Sequence, residues 1–98
     1  MHISVRRYTI HDDGQTDEIV RIVQEGFVPI ISQTPGFVAY YAFAAGNKTV
    51  ASVSVFESEA GADDSTLRAA EWVGKNLAKY MAGPPQVTAG EVGAHASA

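Results

Sequence analysis

FVAYYAFAAGNKTVASVSVFE, residues Phe37–Glu57, decides the fold. Two runs of apolar, β-branched and aromatic residues flank Gly46-Asn47, a pair suited to two-residue hairpin loops because such loops need φ above zero. The stretch predicts an antiparallel hairpin, one strand over Phe37 to Ala45 and the next over Lys48 to Glu57. Pairing outward from the loop sets Ala45 opposite Lys48, Phe43 by Val50, Tyr41 by Ser52, Ala39 by Ser54 and Phe37 by Phe56. These residues share one face. The other face carries Tyr40 with Val53, Val38 with Val55 and Ala42 with Ala51. It is the more uniformly apolar set and is expected to meet the helices.

The flanks supply the remaining elements. His2 to Ile10 reads as a first strand ending in His11-Asp12-Asp13-Gly14, which favours turns and helix caps. From Gln15 to Gln33, Ile19, Ile22, Val23, Phe27, Ile30 and Ile31 fall at the spacing of a helix burying one stripe. Asp17 and Glu18 suit the positive end of its dipole. Pro29 removes a backbone hydrogen bond and, with Gly26 nearby, predicts a bend near residues 25–29. Pro35-Gly36 ends that helix. Ser58 caps a second one, with Leu67, Ala70, Val73, Gly74, Leu77 and Met81 on its buried side and Trp72 off that stripe. Gly83-Pro84-Pro85 stops it, and Gln86 to His95 reads as a last strand fraying into a tail over residues 93–98. The order β-α-β-β-α-β, with right-handed crossovers, gives a ferredoxin-like α+β fold: a four-stranded antiparallel sheet with both helices on one face, residues 1–98 forming one domain.

Composition narrows the function classes. The 98 residues are 46% hydrophobic and 18% charged, an ordinary globular balance. Seven basic residues against eleven acidic ones give a net charge of -4, which repels nucleic acid. There is no cysteine, hence no disulfide framework, thiolate nucleophile or thiolate metal site. Arg6 and Arg7 fall where a secretory signal needs its apolar run, and no stretch approaches the roughly 20 apolar residues that span a bilayer. The expectation is a cytoplasmic protein without a membrane partner.

A sheet covered on one face leaves the other bare, and a large apolar patch on a monomer is uncommon, so a homodimer closing over the bare face is expected. In strand one, Ile3 and Val5 suit the helix side, which leaves Ser4, Arg6 and Tyr8 on the uncovered side with Tyr41, Ser52 and Ser54. Pairing first and last strands so that His2 approaches His95 sets Arg6 opposite Glu91. That pair reads either as a plain cross-strand ion pair or as part of a binding site. Ala39, Ser52, Ser54 and Ala89 are small and leave room between the sheet and its partner for a mainly apolar pocket. Trp72 either reaches the rim of that pocket or packs at the helix edge or subunit interface. Tyr8, Tyr40 and Tyr41 have the alternative reading of ordinary strand aromatics.

Other chemistries lack their parts. His2, His11 and His95 are the only histidines. His2 and His95 at fraying termini lack the further ligands that zinc takes, so no metal is expected. Ser52 and Ser54 have no histidine base beside them. Gly61 and Gly74 lie in helix two, outside the strand-to-helix context of a phosphate loop.

Pro35-Gly36-Phe37 entering a strand, Val53-Ser54-Val55-Phe56-Glu57 leading into a helix, and Trp72 within that helix, together with the element order, resemble the antibiotic biosynthesis monooxygenase domain over nearly the whole chain. The resemblance implies a dimeric α+β barrel with one cavity per subunit, between sheet and helices. The family includes cofactor-free oxygenases of aromatic polyketides, haem-degrading enzymes and proteins of unknown role. Haem-degrading members share a helix-two tryptophan. Their strand-one asparagine and haem-ligating histidine have no counterpart, since strand one offers Arg6 and Tyr8 and helix two offers Asn76. The resemblance therefore implies no cofactor. By analogy with members that oxidise phenolic polyketides, Arg6, Tyr8, Tyr41 and Trp72 are the catalytic candidates. Ser52, Ser54, Phe37, Phe56 and Glu91 are the candidates for holding a small aromatic substrate. The competing expectation is a ligand-binding or structural module without turnover.

Overall fold

A computed structural model describes all 98 residues. β1 (His2–Thr9) leads through a short 3-10 turn (Asp13–Gln15) into α1 (Thr16–Ile22), a π-helical turn (Val23–Phe27) and α2 (Val28–Ile31). β2 (Phe37–Gly46) and β3 (Thr49–Phe56) form the hairpin. α3 (Glu59–Asn76), a second 3-10 turn (Ala78–Tyr80) and β4 (Gln86–Glu91) complete the chain. The strands run antiparallel in the order β2-β3-β1-β4, the ferredoxin-like arrangement expected.

The bend foreseen near Pro29 is a π turn. Pro29 has no N–H to bond the carbonyl one turn back, and the chain absorbs this by widening, so the Val28 N–H bonds to the Val23 carbonyl five residues earlier. Ile19, Val23, Phe27 and Ile31 stay on the buried side of this broken helix and pack with Phe56 and Leu77.

Ser58 caps α3 as expected, its side-chain oxygen accepting the Gly61 N–H at 3.1 Å. The buried stripe of α3 differs from the expected one. Ala62, Ser65 and Ala69 are buried, Trp72 is half-buried on the same side, and Leu67 is 70% exposed. Small residues let the helix axis approach the sheet closely, and that outweighs the transfer energy of one leucine. Ion pairs Arg68–Asp64 (2.7 Å) and Lys75–Glu71 (2.9 Å) lie along its solvent side.

Two irregularities in β2 reset the hairpin. Its loop is Asn47-Lys48, both at positive φ (50° and 56°), one residue later than expected, with Gly46 also positive at 76°. The Asp13 carboxylate fixes this tip by accepting the Lys48 N–H at 2.7 Å. Register shifts between Ala44 and Gly46 and between Phe37 and Ala39 mark bulges at the two ends of the strand. Phe37 does pair with Phe56, but between the bulges Tyr40 pairs with Ser54, Tyr41 with Val53, Ala42 with Ser52 and Phe43 with Ala51. A one-residue slip turns every side chain to the opposite face.

The faces of β1 and β3 are exchanged from those expected, while in β2 Tyr40 and Ala42 keep the helix side and Tyr41 and Phe43 the uncovered side. Ser4, Arg6 and Tyr8 of β1 and Ser52, Ser54 and Phe56 of β3 lie beneath the helices, buried. Ile3, Val5, Val53, Val55, Tyr41 and Phe43 lie on the uncovered face, where Tyr41 is 61% exposed. β4 ends at Glu91 instead of His95, and its register with β1 is shifted by four residues from the expected one. His2 faces Glu91, and Arg6 faces Val87.

Candidate active site

Arg6 is the largest fully buried side chain, 1% exposed. β1 points it under α3, where its Nε–H donates to Ser52 Oγ at 3.1 Å and one terminal nitrogen donates to Ser54 Oγ. The other terminal nitrogen reaches Thr66 Oγ1 at 3.4 Å and Ser4 Oγ at 3.5 Å. Ser4 and Thr66 share a 2.7 Å hydrogen bond, and Thr66 Oγ1 also donates to the Ala62 carbonyl at 3.3 Å. No carboxylate pairs with Arg6: the four salt bridges join residues of α1, its following turn and α3. A guanidinium taken out of water and surrounded only by neutral hydroxyls is an uncompensated interior charge. Burial pulls its pKa below the usual arginine value, opposed by the nearby phenols of Tyr8 and Tyr40. Both phenols are pushed above the ordinary tyrosine value, chiefly by burial and partly offset by Arg6. They remain protonated hydrogen-bond donors at neutral pH.

Beyond these hydroxyls lies a cavity between the sheet and the helices. Tyr8, Tyr40 and Ser52 form its polar end, and Phe27, Trp72 and Met81 are among its apolar walls. Phe27 stands between the other two rings, 5.5 Å from Tyr40 edge-on and 5.4 Å from Trp72. The free space is about 20 Å³, room for roughly one water molecule. Trp72 reaches the cavity by lying against the π turn at Gly26, where a Cβ would come within 2.8 Å of the Trp72 ring.

The structure thus gathers Tyr8, Ser52 and Trp72 around one cavity, with Arg6 and Ser54 behind Ser52 and outside the lining. It places the cavity under the helices, not between the sheet and a partner. Tyr41 does not belong: the bulges put Tyr40 there in its place. Glu91 lies exposed on the edge strand away from Arg6. Phe37 and Phe56 pack edge-to-face with each other, 5.8 Å between centroids, and do not line the cavity. Thr66 was missed because it falls outside the Leu67, Ala70, Val73, Gly74, Leu77 and Met81 stripe expected to be buried, and Tyr40 because nothing in a run of Tyr-Tyr marks a bulge. No group of three histidine or carboxylate side chains is placed to hold a metal ion.

No family model and no curated protein matches the sequence. Solved structures do. A protein of unknown function from Nitrosomonas europaea superposes with a TM-score of 0.78 at 21% identity, covering 99% of this chain and 93% of that one. A monooxygenase of Streptomyces coelicolor bound to nanaomycin D gives 0.77 at 19% identity, with 99% and 92% covered. The chain has the α+β fold of these structures. A cofactor-independent oxygenase of Streptomyces nogalater shares the fold at a TM-score of 0.68 and 12% identity, over 96% of this chain and 94% of that one. At these identities the likeness carries the architecture and leaves the chemistry of this chain to be argued from its own residues.

Proposed function

We propose that this monooxygenase-like domain binds a small phenolic or polycyclic aromatic molecule in the cavity between sheet and helices, and oxidises it with molecular oxygen without a cofactor. The observation that carries this reading is Arg6, a buried positive charge with no carboxylate partner behind two protonated phenols at the polar end of an aromatic cavity. Such a site is short of one negative charge, and a substrate oxyanion supplies it. Tyr8 and Tyr40 donate hydrogen bonds to that oxygen, and Arg6, behind them, stabilises the negative charge through space. Phe27 and Trp72 hold the rings in place. Oxidation of an anthrone fits the electron count: the ring CH₂ becomes C=O, one oxygen atom of O₂ enters the product and the other leaves as water. Two neighbours of the same fold, described as a monooxygenase and a cofactor-independent oxygenase, point the same way.

Supporting experiments are oxygen uptake and quinone formation with anthrones and quinols. Equal rates for the wild type and Arg6→Ala on a good substrate would remove Arg6 from the chemistry. The narrowness of the cavity favours a second reading, a ligand-binding or structural module whose pocket is filled by its own side chains. It predicts thermal shifts without turnover, or no shifts.

The same proposal includes a homodimer through the uncovered sheet face. Ile3, Val5, Val53, Val55, Tyr41 and Phe43 support it by making that face apolar. Residues 1–98 are read as one domain. A cytoplasmic setting is retained from the sequence; in the structure, no helix is long and apolar enough to cross a membrane.

A further inference from the structure

Gly74 sits near the C-terminal end of α3, and a Cβ built there meets nothing within 4 Å. Glycine inside a helix costs about 0.5 to 1 kcal/mol relative to alanine, and no packing contact here accounts for it. What the missing side chain leaves open is a surface groove of about 400 Å³. Ala70, Gly74 and Ala78 form one wall and Gly83, Pro84 and Pro85 the other. The remaining three lining residues, Tyr8, Val73 and Met81, also line the buried cavity. Groove and cavity are therefore the two sides of one partition.

With Met81 in place the cavity, at about 20 Å³, is far short of the roughly 300 Å³ or more that pockets for such ligands take. Of the shared residues, Met81 is the one whose unbranched side chain turns aside at least cost. It follows the 3-10 turn and lies where the chain leaves the helical layer for β4, held by an isolated bridge to Ile10, just past the end of β1. Tyr8 is held by its strand and Val73 by its helix.

We propose that the groove is the outer subsite of the same binding site. It takes the distal, uncharged rings of a fused aromatic ligand whose oxyanion lies at Tyr8 and Tyr40, and Met81 is the side chain that moves aside to join the two spaces. This rests on the function proposed above and narrows the substrate to molecules of two or more fused rings. The groove walls present small apolar side chains and two prolines, with no charged group. They suit an aromatic plane and offer nothing to a sugar or phosphate.

The test uses the only tryptophan, Trp72 in the cavity wall, as a fluorescence reporter. A tricyclic hydroxyanthraquinone and a single-ring nitrophenol are titrated into wild type, Gly74→Leu and Met81→Ala. Leucine fills the groove and favours the helix, so Gly74→Leu keeps its melting temperature. The expected result is tenfold or greater weakening of the tricyclic ligand by Gly74→Leu, with the nitrophenol unchanged within twofold. Met81→Ala is expected to bind the tricyclic ligand at least as tightly as wild type. Equal effects on both ligands, or none on either, overturn the subsite and leave the function standing. Failure of the wild type to bind either ligand overturns both.

Discussion

Arg6→Met separates a functional charge from a structural one. Methionine keeps much of the volume and removes the charge, so two costs compete. Ser52 and Ser54 lose their charged donor, and a buried hydroxyl left unpaired costs about 1 to 3 kcal/mol. Ser4 and Thr66 keep each other at 2.7 Å. Against that stands the guanidinium's own desolvation, several kcal/mol for an ion without a counter-charge. The sum lies near zero, so stability should change by less than about 2 kcal/mol, and for a chain of this size each kcal/mol moves Tm by roughly 4 to 8 °C. Binding should respond differently. A ligand oxyanion held through one phenol lies about 5 to 6 Å from the guanidinium, and at an effective dielectric near 20 their attraction is about 3 kcal/mol. Anionic ligands should therefore bind about 100-fold more weakly to Arg6→Met, while neutral isosteres change little. Urea unfolding and ligand titration on the same sample measure both quantities. A stability loss beyond about 4 kcal/mol with ligand affinity intact would show that the charge exists for the fold, and the reasoning from its missing counter-ion would be refuted.

The buried tyrosines give a pH dependence of known sign. Tyr8 and Tyr40 have folded-state pKa values raised above the ordinary value near 10. The folded state therefore holds their protons more tightly, and their contribution is complete below about pH 10 and lost as pH climbs through the raised values. The Tyr8→Phe/Tyr40→Phe double variant should flatten the alkaline limb of a stability profile; an unchanged limb would contradict this. Gly26→Ala puts a methyl 2.8 Å from the Trp72 ring, an overpacking worth about 1 to 3 kcal/mol; it should shift Trp72 emission as the ring is displaced, and an unaltered spectrum would count against that contact. Tyr41→Glu, on the 61% exposed position of the open face, should halve the mass seen by sedimentation while leaving the melting of the isolated protomer within about 0.5 kcal/mol; a dimer that persists would move the interface elsewhere.

The order of the elements, the hairpin, the bend at Pro29 and the meeting of Ser4, Arg6, Tyr8, Ser52 and Ser54 on one face were all legible, because period-two and period-3.6 patterns are local properties of the chain. Which face went under the helices was not. Alternation says which residues sit together and is silent about the side, and the rule that the more apolar set turns inward failed here. The interior holds an arginine in a cage of hydroxyls, and the apolar set lines the open face. Tyr40 kept its place beneath the helices and Tyr41 its place on the open face, but their cross-strand partners changed, for a second reason. A bulge costs one residue of register and leaves little mark in composition, so only the paired backbone of β2 and β3 decides between two adjacent tyrosines. Likewise, Leu67 against Ala69 was settled by how closely α3 approaches the sheet, a distance that depends on both surfaces at once. The sequence by itself determined the elements and their partners; the tertiary structure alone decided which of two half-apolar faces was inside, because that choice belongs to the packing of layers and not to any one strand.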